Sequence, residues 1–134
     1  MKFPKNVRKG DKIAVVSPAG AVEESQLGST LSLIESHGYQ PVLGNHVYGK
    51  YDHGFVYSGT EQQRLSDLNW ALNDPEIAAV WASRGGYGCQ HLVQHLDWSF
   101  ISKNPKWYIG YSDNTVIQSG LLKNEIPSIH GQTI

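Results

Sequence analysis

The chain has 134 residues, 40% of them hydrophobic and 17% charged, with a formal net charge of −1; this is the profile of one ordinary globular domain with enough apolar material for a core. No basic block or acidic tail points to nucleic acid or a membrane surface, no stretch is long and apolar enough to span a bilayer, and residues 1–9 lack the apolar run of a signal peptide. The single cysteine, Cys89, excludes an intrachain disulfide and suits a reducing compartment, so a cytoplasmic protein is expected.

In chain order, Asp11-Lys12 leads into an apolar run at 13–16 that reads as a strand buried on both faces, and Ser17-Pro18-Ala19-Gly20 ends it. Glu23 and Glu24 sit where a helix's first turn favours negative charge; Leu27, Leu31 and Ile34 share one helical face, and Gly38 terminates it. Pro41-Val42-Leu43 reads as a second strand, so the unit is strand–helix–strand and a parallel sheet is expected. Residues 44–59 form a long loop rich in Gly, His and Tyr, a candidate substrate rim. Thr60-Glu61-Gln62-Gln63 is a capping box, Leu65, Leu68 and Leu72 are the buried face of the helix it opens, and Asn73-Asp74-Pro75 stops it. Residues 77–82 are the third strand, followed by the loop Ser83-Arg84-Gly85-Gly86-Tyr87-Gly88. Leu92, Val93 and Leu96 predict another helix, Asp97 caps one more turn through Trp98 and Phe100, and Asn104-Pro105 breaks the chain. Residues 125–131 read as a last strand and a turn; because a domain seldom stops straight after a strand, the chain is expected to be part of a longer protein.

The most informative stretch is Lys106-Trp107-Tyr108-Ile109-Gly110-Tyr111-Ser112-Asp113-Asn114-Thr115. An apolar strand runs into Ser112, and a helix then begins with Val116, Ile117, Gly120 and Leu121 on one face. A serine at a tight strand-to-helix turn presents its hydroxyl at the tip of a sheet, beside free N–H groups and a positive dipole end. That is the physics of a nucleophile elbow, although Gly-Tyr-Ser-Asp is not the G-x-S-x-G form. Taken locally, Ser112 or Asp113 as a plain helix cap explains the same residues.

The Arg84–Gly88 stretch also lies between a strand and a helix. Its glycines allow close backbone approach, either to cradle a phosphate or to supply an oxyanion-hole donor. It matches neither G-x-x-x-x-G-K-[ST] nor G-x-G-x-x-G, so no nucleotide cofactor is expected. His91 and His95 are four apart, but no carboxylate or cysteine completes a ligand set, and no metal is expected. Cys89 reads as a packing residue, with nucleophile as its alternative role. His130 reads as structural or substrate-facing. Asp113 adjoins Ser112, so its side chain is expected to point elsewhere while its N–H faces a forming oxyanion. A serine hydrolase needs a base, and no histidine in the chain has a clear claim to be one.

Ser-Pro-Ala-Gly at 17–20, Tyr57-Ser58-Gly59-Thr60 with Arg64, the 83–88 loop, Gly110-Tyr111-Ser112-Asp113 and His130-Gly131 follow one another as in the LD-carboxypeptidase family, serine peptidases related to muramoyl-tetrapeptide carboxypeptidase. The chain resembles that family's N-terminal domain over nearly its whole length. The resemblance implies an α/β fold, three-layer with a mostly parallel sheet, flavodoxin-like and similar to class I glutamine amidotransferase domains. It implies Ser112 as nucleophile, with the backbone N–H groups of Asp113 and of Gly86 (Gly85 as the alternative) as oxyanion hole. Arg84, Tyr87 and Tyr111 become substrate-contact residues. The family's glutamate and histidine would come from a C-terminal domain absent from this chain, a partner without which the 134 residues are expected to be inactive. The implied substrate is murein tetrapeptide, losing its terminal D-alanine during cell-wall recycling. A family branch that hydrolyses microcin-type peptidyl-adenylates is the alternative, a non-catalytic anion-binding module is a second, and a homodimer stays open.

Overall fold

The computed structural model describes residues 1–132. β1 (Lys12–Val16) sends Ala14 and Val16 into one apolar cluster and Ile13 and Val15 into another, as a strand covered on both sides must. α1 (Glu24–Ser36) packs Leu27 and Ile34 on the Ile13 face and returns the chain to β2 (Gln40–Leu43), parallel to β1. α2 (Glu61–Asn73) opens with the expected capping box: Gln63 N–H donates to Thr60 Oγ1 at 3.2 Å, and Thr60 N–H to Gln63 Oε1 at 3.0 Å. It packs Leu68, Ala71 and Leu72 on the opposite face of the sheet. β5 (Ile77–Ala82), β6 (Trp107–Gly110) and β7 (Ile129–His130) complete a parallel sheet in the order β2-β1-β5-β6-β7.

Two segments depart from the sequence reading. Residues 44–59 are not only loop, because they hold an antiparallel hairpin, β3 (Tyr51–Asp52) and β4 (Val56–Tyr57). Ala21 N–H donates to Val56 O at 3.0 Å and Ser58 N–H to Ala19 O at 2.9 Å, so the hairpin is sewn to the loop after β1. The helix expected through Leu96 is a single turn, α3 (Gln90–Val93). Asp97 must stand outside a helix, at φ −81° and ψ 84°, to cap α4 (Trp98–Lys103) by accepting from Phe100 N–H at 3.0 Å.

After β6 a 3₁₀ turn, Ser112–Asn114, leads into α5 (Thr115–Lys123), which buries Ile117 and Leu121. With the hairpin set aside, the strand order is that of flavodoxin-like sheets, and α1 and the group α2 to α5 form the outer layers. The loops leaving β1, β5 and β6 gather at the carboxyl edge of the sheet, where open α/β folds place their ligands.

Candidate active site

Ser112 stands at the junction of β6 and the 3₁₀ turn, exposed, with φ 59°. A side chain in that left-handed region costs about 1–2 kcal/mol, so the surroundings must hold it there. Asp113 turns its carboxylate away: Oδ2 accepts from Cys89 N–H at 2.9 Å, tying the turn to the start of α3. Among the described residues, Ser112 Oγ has no hydrogen-bond partner, and the N–H groups of Gly85, Gly86 and Asp113 have no acceptor.

The glycine-rich loop lies directly against this turn. A Cβ on Gly85 would sit 2.9 Å from Ser112 Cβ, 3.2 Å from its Oγ and 3.2 Å from Asp113 N, so only glycine leaves room for the two backbones to touch. Gly86, at φ 110°, faces the other way, where a Cβ would meet Phe55 at 2.8 Å. Of the two glycines named from sequence, Gly85 is therefore the one packed on the serine. Gly85 O accepts from Gly20 N–H at 3.0 Å, and Ser17 and Ser83 share a 2.6 Å hydroxyl contact, so the β1 and β5 loops are joined as well.

Beneath the loops lies Arg64, only 3% exposed. It donates to Gly59 O (3.3 Å), Pro18 O (2.9 Å) and Gly88 O (3.1 Å), and its guanidinium lies 4.8 Å from the centroid of the Tyr57 ring. Burial lowers its pKa, yet three carbonyls and a π face keep the cation accommodated. Its role as a strut between three loops was not read from sequence. The signal was present, since Arg64 precedes Leu68 by four residues and shares its buried stripe.

Arg84 is exposed and reaches back to Ala21 O at 2.9 Å. Tyr87 is exposed beside Phe55, Tyr57 and His91, forming an aromatic wall with the hairpin. Tyr111 is 53% exposed, and its ring lies 5.1 Å from that of His130, whose Nδ1 contacts Gln118 Oε1 at 3.2 Å. Tyr111 thus adjoins the serine turn directly, while Tyr87 belongs to the aromatic wall at the hairpin. Cys89 is fully buried, and burial drives its thiol pKa well up, so the thiolate needed for attack is suppressed. Among the described residues no group of three or more His, Cys, Asp or Glu could hold a metal ion.

Comparison with known proteins agrees with this architecture. The family model of the LD-carboxypeptidase N-terminal domain matches residues 13–131. A murein tetrapeptide carboxypeptidase from Pseudomonas aeruginosa is 40% identical over 121 residues, covering 90% of this chain and 38% of that protein. Among solved structures, MccF in complex with glutamyl sulfamoyl guanosine superimposes with a TM-score of 0.89 at 25% identity, over 99% of this chain and 40% of the other. A muramoyltetrapeptide carboxypeptidase from Oxalobacter formigenes gives a TM-score of 0.78 at 30% identity, over 91% and 40%. The chain therefore spans about two fifths of the length of the relatives it matches.

Proposed function

The chain belongs to the LD-carboxypeptidase family, and from that premise we propose that it is the nucleophile-bearing domain of a cytoplasmic serine carboxypeptidase acting in cell-wall recycling. Its reaction would release the terminal D-alanine of murein tetrapeptide. The observation that carries this reading is the exposed Ser112, held at positive φ on a strand-to-helix turn and packed against the Gly85 backbone.

In the reaction, Ser112 Oγ attacks the amide carbonyl carbon while its proton passes to a base. The carbonyl oxygen becomes an oxyanion that the Asp113 N–H and a glycine N–H of the 85–86 pair stabilise. The C–N bond breaks, D-alanine leaves with the returned proton, and water hydrolyses the ester to restore the serine. The base and its orienting carboxylate come from the second domain that the family resemblance implies. Arg84, Tyr87 and Tyr111 line the approach to the serine and contact the peptide.

D-alanine release from murein tetrapeptide by the intact protein tests this. Release is expected from the parent and from neither Ser112→Ala nor the 134 residues alone; a Ser112→Ala protein that retains the activity refutes the assignment. The likeness to MccF supports a second reading, hydrolysis of a peptidyl-adenylate. Turnover of such a compound without D-alanine release would select it.

A further inference from the structure

Asn114 is buried, and its carboxamide uses every hydrogen-bonding position it has. Oδ1 accepts from Tyr108 OH at 2.7 Å and takes the weak Cys89 thiol at 3.8 Å. Nδ2 donates to Arg84 O at 3.2 Å and to Tyr111 O at 3.1 Å. The acceptor end meets one hydroxyl and one weak thiol donor and the donor end meets two carbonyls, so a reversed amide would fail at both ends. We infer that Asn114 is the positioning residue of the proposed serine site, fixing the distance and orientation between the Ser112 turn and the Gly85–Gly86 backbone. This rests on the reading of Ser112 as nucleophile.

Peptide planarity gives the mechanism. The peptide bonds of this loop are trans, so each carbonyl points opposite to the N–H of the next residue. Arg84 C=O is fixed toward Asn114, which turns the Gly85 N–H away from it. Gly85 C=O is fixed toward Gly20 N–H, which turns the Gly86 N–H to the opposite side. Two successive donors are aimed by two anchored carbonyls, and Asn114 holds the first anchor. The same carboxamide grips Tyr111 O, immediately before the strained Ser112. One side chain thus clamps the nucleophile's turn and the donor loop together, with Tyr108 holding the clamp in orientation from inside the sheet.

Asn114→Asp keeps the shape but replaces the NH₂ with an oxygen facing two carbonyls. Tyr108→Phe removes only the hydroxyl that orients the amide and leaves both Nδ2 bonds possible. In the intact protein, Asn114→Asp is expected to lower kcat for D-alanine release by about 100-fold with KM within about 3-fold, the signature of a misplaced reacting group. Tyr108→Phe is expected to lower kcat by about 3- to 10-fold, and in both variants amide exchange over residues 84–88 and 110–114 should quicken while other segments keep their protection. A folded Asn114→Asp protein with parental kcat, or one changed in KM alone, overturns the inference. Should that variant not fold, unchanged kcat and unchanged exchange in Tyr108→Phe overturn it. Should the parent release no D-alanine, the reading of function falls, and exchange alone decides the clamp: faster exchange in both segments upholds it, and parental exchange ends it.

Discussion

A serine at φ 59° stands against a glycine with no room for a methyl group. Gly85→Ala is allowed by its backbone, because Gly85 has no positive φ, and is opposed only by contact. Relief requires the Ser112 turn or the loop to move by several tenths of an ångström, costing about 1–3 kcal/mol as overpacking. Such movement misaligns donors and nucleophile, so kcat in the intact protein is expected to fall about 100-fold with a small loss of thermal stability. Gly28→Ala is the control, since nothing lies within 4 Å of a Cβ there and it sits inside α1. It should gain about 0.5–1 kcal/mol in denaturation and leave turnover as it was. Equal effects of the two substitutions would show that contact with the serine turn is irrelevant. At this scale Ser112 and the glycines were legible, because only a few residue types tolerate such turns. Asn114 was not, because a short polar residue opening a helix reads as a cap; its burial shows only in its sharing a stripe with Ile117 and Leu121.

Among the secondary-structure elements, the join between α2 and β6 depends on a buried cation. Lys106 Nζ donates to Ala71 O at 3.0 Å and also to Asp74 O, satisfying carbonyls at the end of α2 that no further helical turn can reach. Burial lowers its pKa from 10.5 to about 8, with Asp74 pulling weakly upward. The folded value lies below the unfolded one, so between them the unfolded chain binds more protons and stability rises with pH. The penalty of burying the ammonium is fully present below about pH 8 and is relieved as pH climbs toward 10.5. Urea denaturation at intervals across this window should show the parent gaining stability relative to Lys106→Met. Parallel curves for the two proteins would mean that Lys106 does not titrate on folding. The elements themselves were largely legible, since β1, α1, α2, β5 and β6 carry long apolar patterns. The hairpin was not, because two-residue strands have no period to read, and its place depends on bonds to a loop distant in sequence.

For the whole molecule, handedness decides what is covered. Parallel crossovers are right-handed, so every connection stepping from β2 toward β7 leaves its helices on one face, while the step from β1 back to β2 leaves α1 alone on the other. A parallel sheet could be read from the strand–helix–strand pattern, whereas the strand order that produces this asymmetry was legible only through the resemblance, which implied a flavodoxin-like layout. The α1 face of β5, β6 and β7 carries a hollow of about 390 Å³ lined by Trp81, Trp107, Ile109 and Ile129. Parallel sheets are ordinarily covered on both faces. Trp81 Nε1 donates to Gln132 O at 3.3 Å, so the chain leaving β7 doubles back toward β5 on this side. Under the two-domain proposal, the remaining part of the enzyme closes this face. Ile129, 45% exposed, is the probe. Ile129→Lys should change the stability of the 134-residue chain by less than about 0.5 kcal/mol, as at any open surface. In the intact protein the same lysine would bury an unpaired charge, and a loss of about 2–4 kcal/mol is expected from denaturation midpoints. Small shifts in both proteins would mean the face stays open to solvent, and the longer chain then contributes its catalytic groups without completing the sheet's third layer.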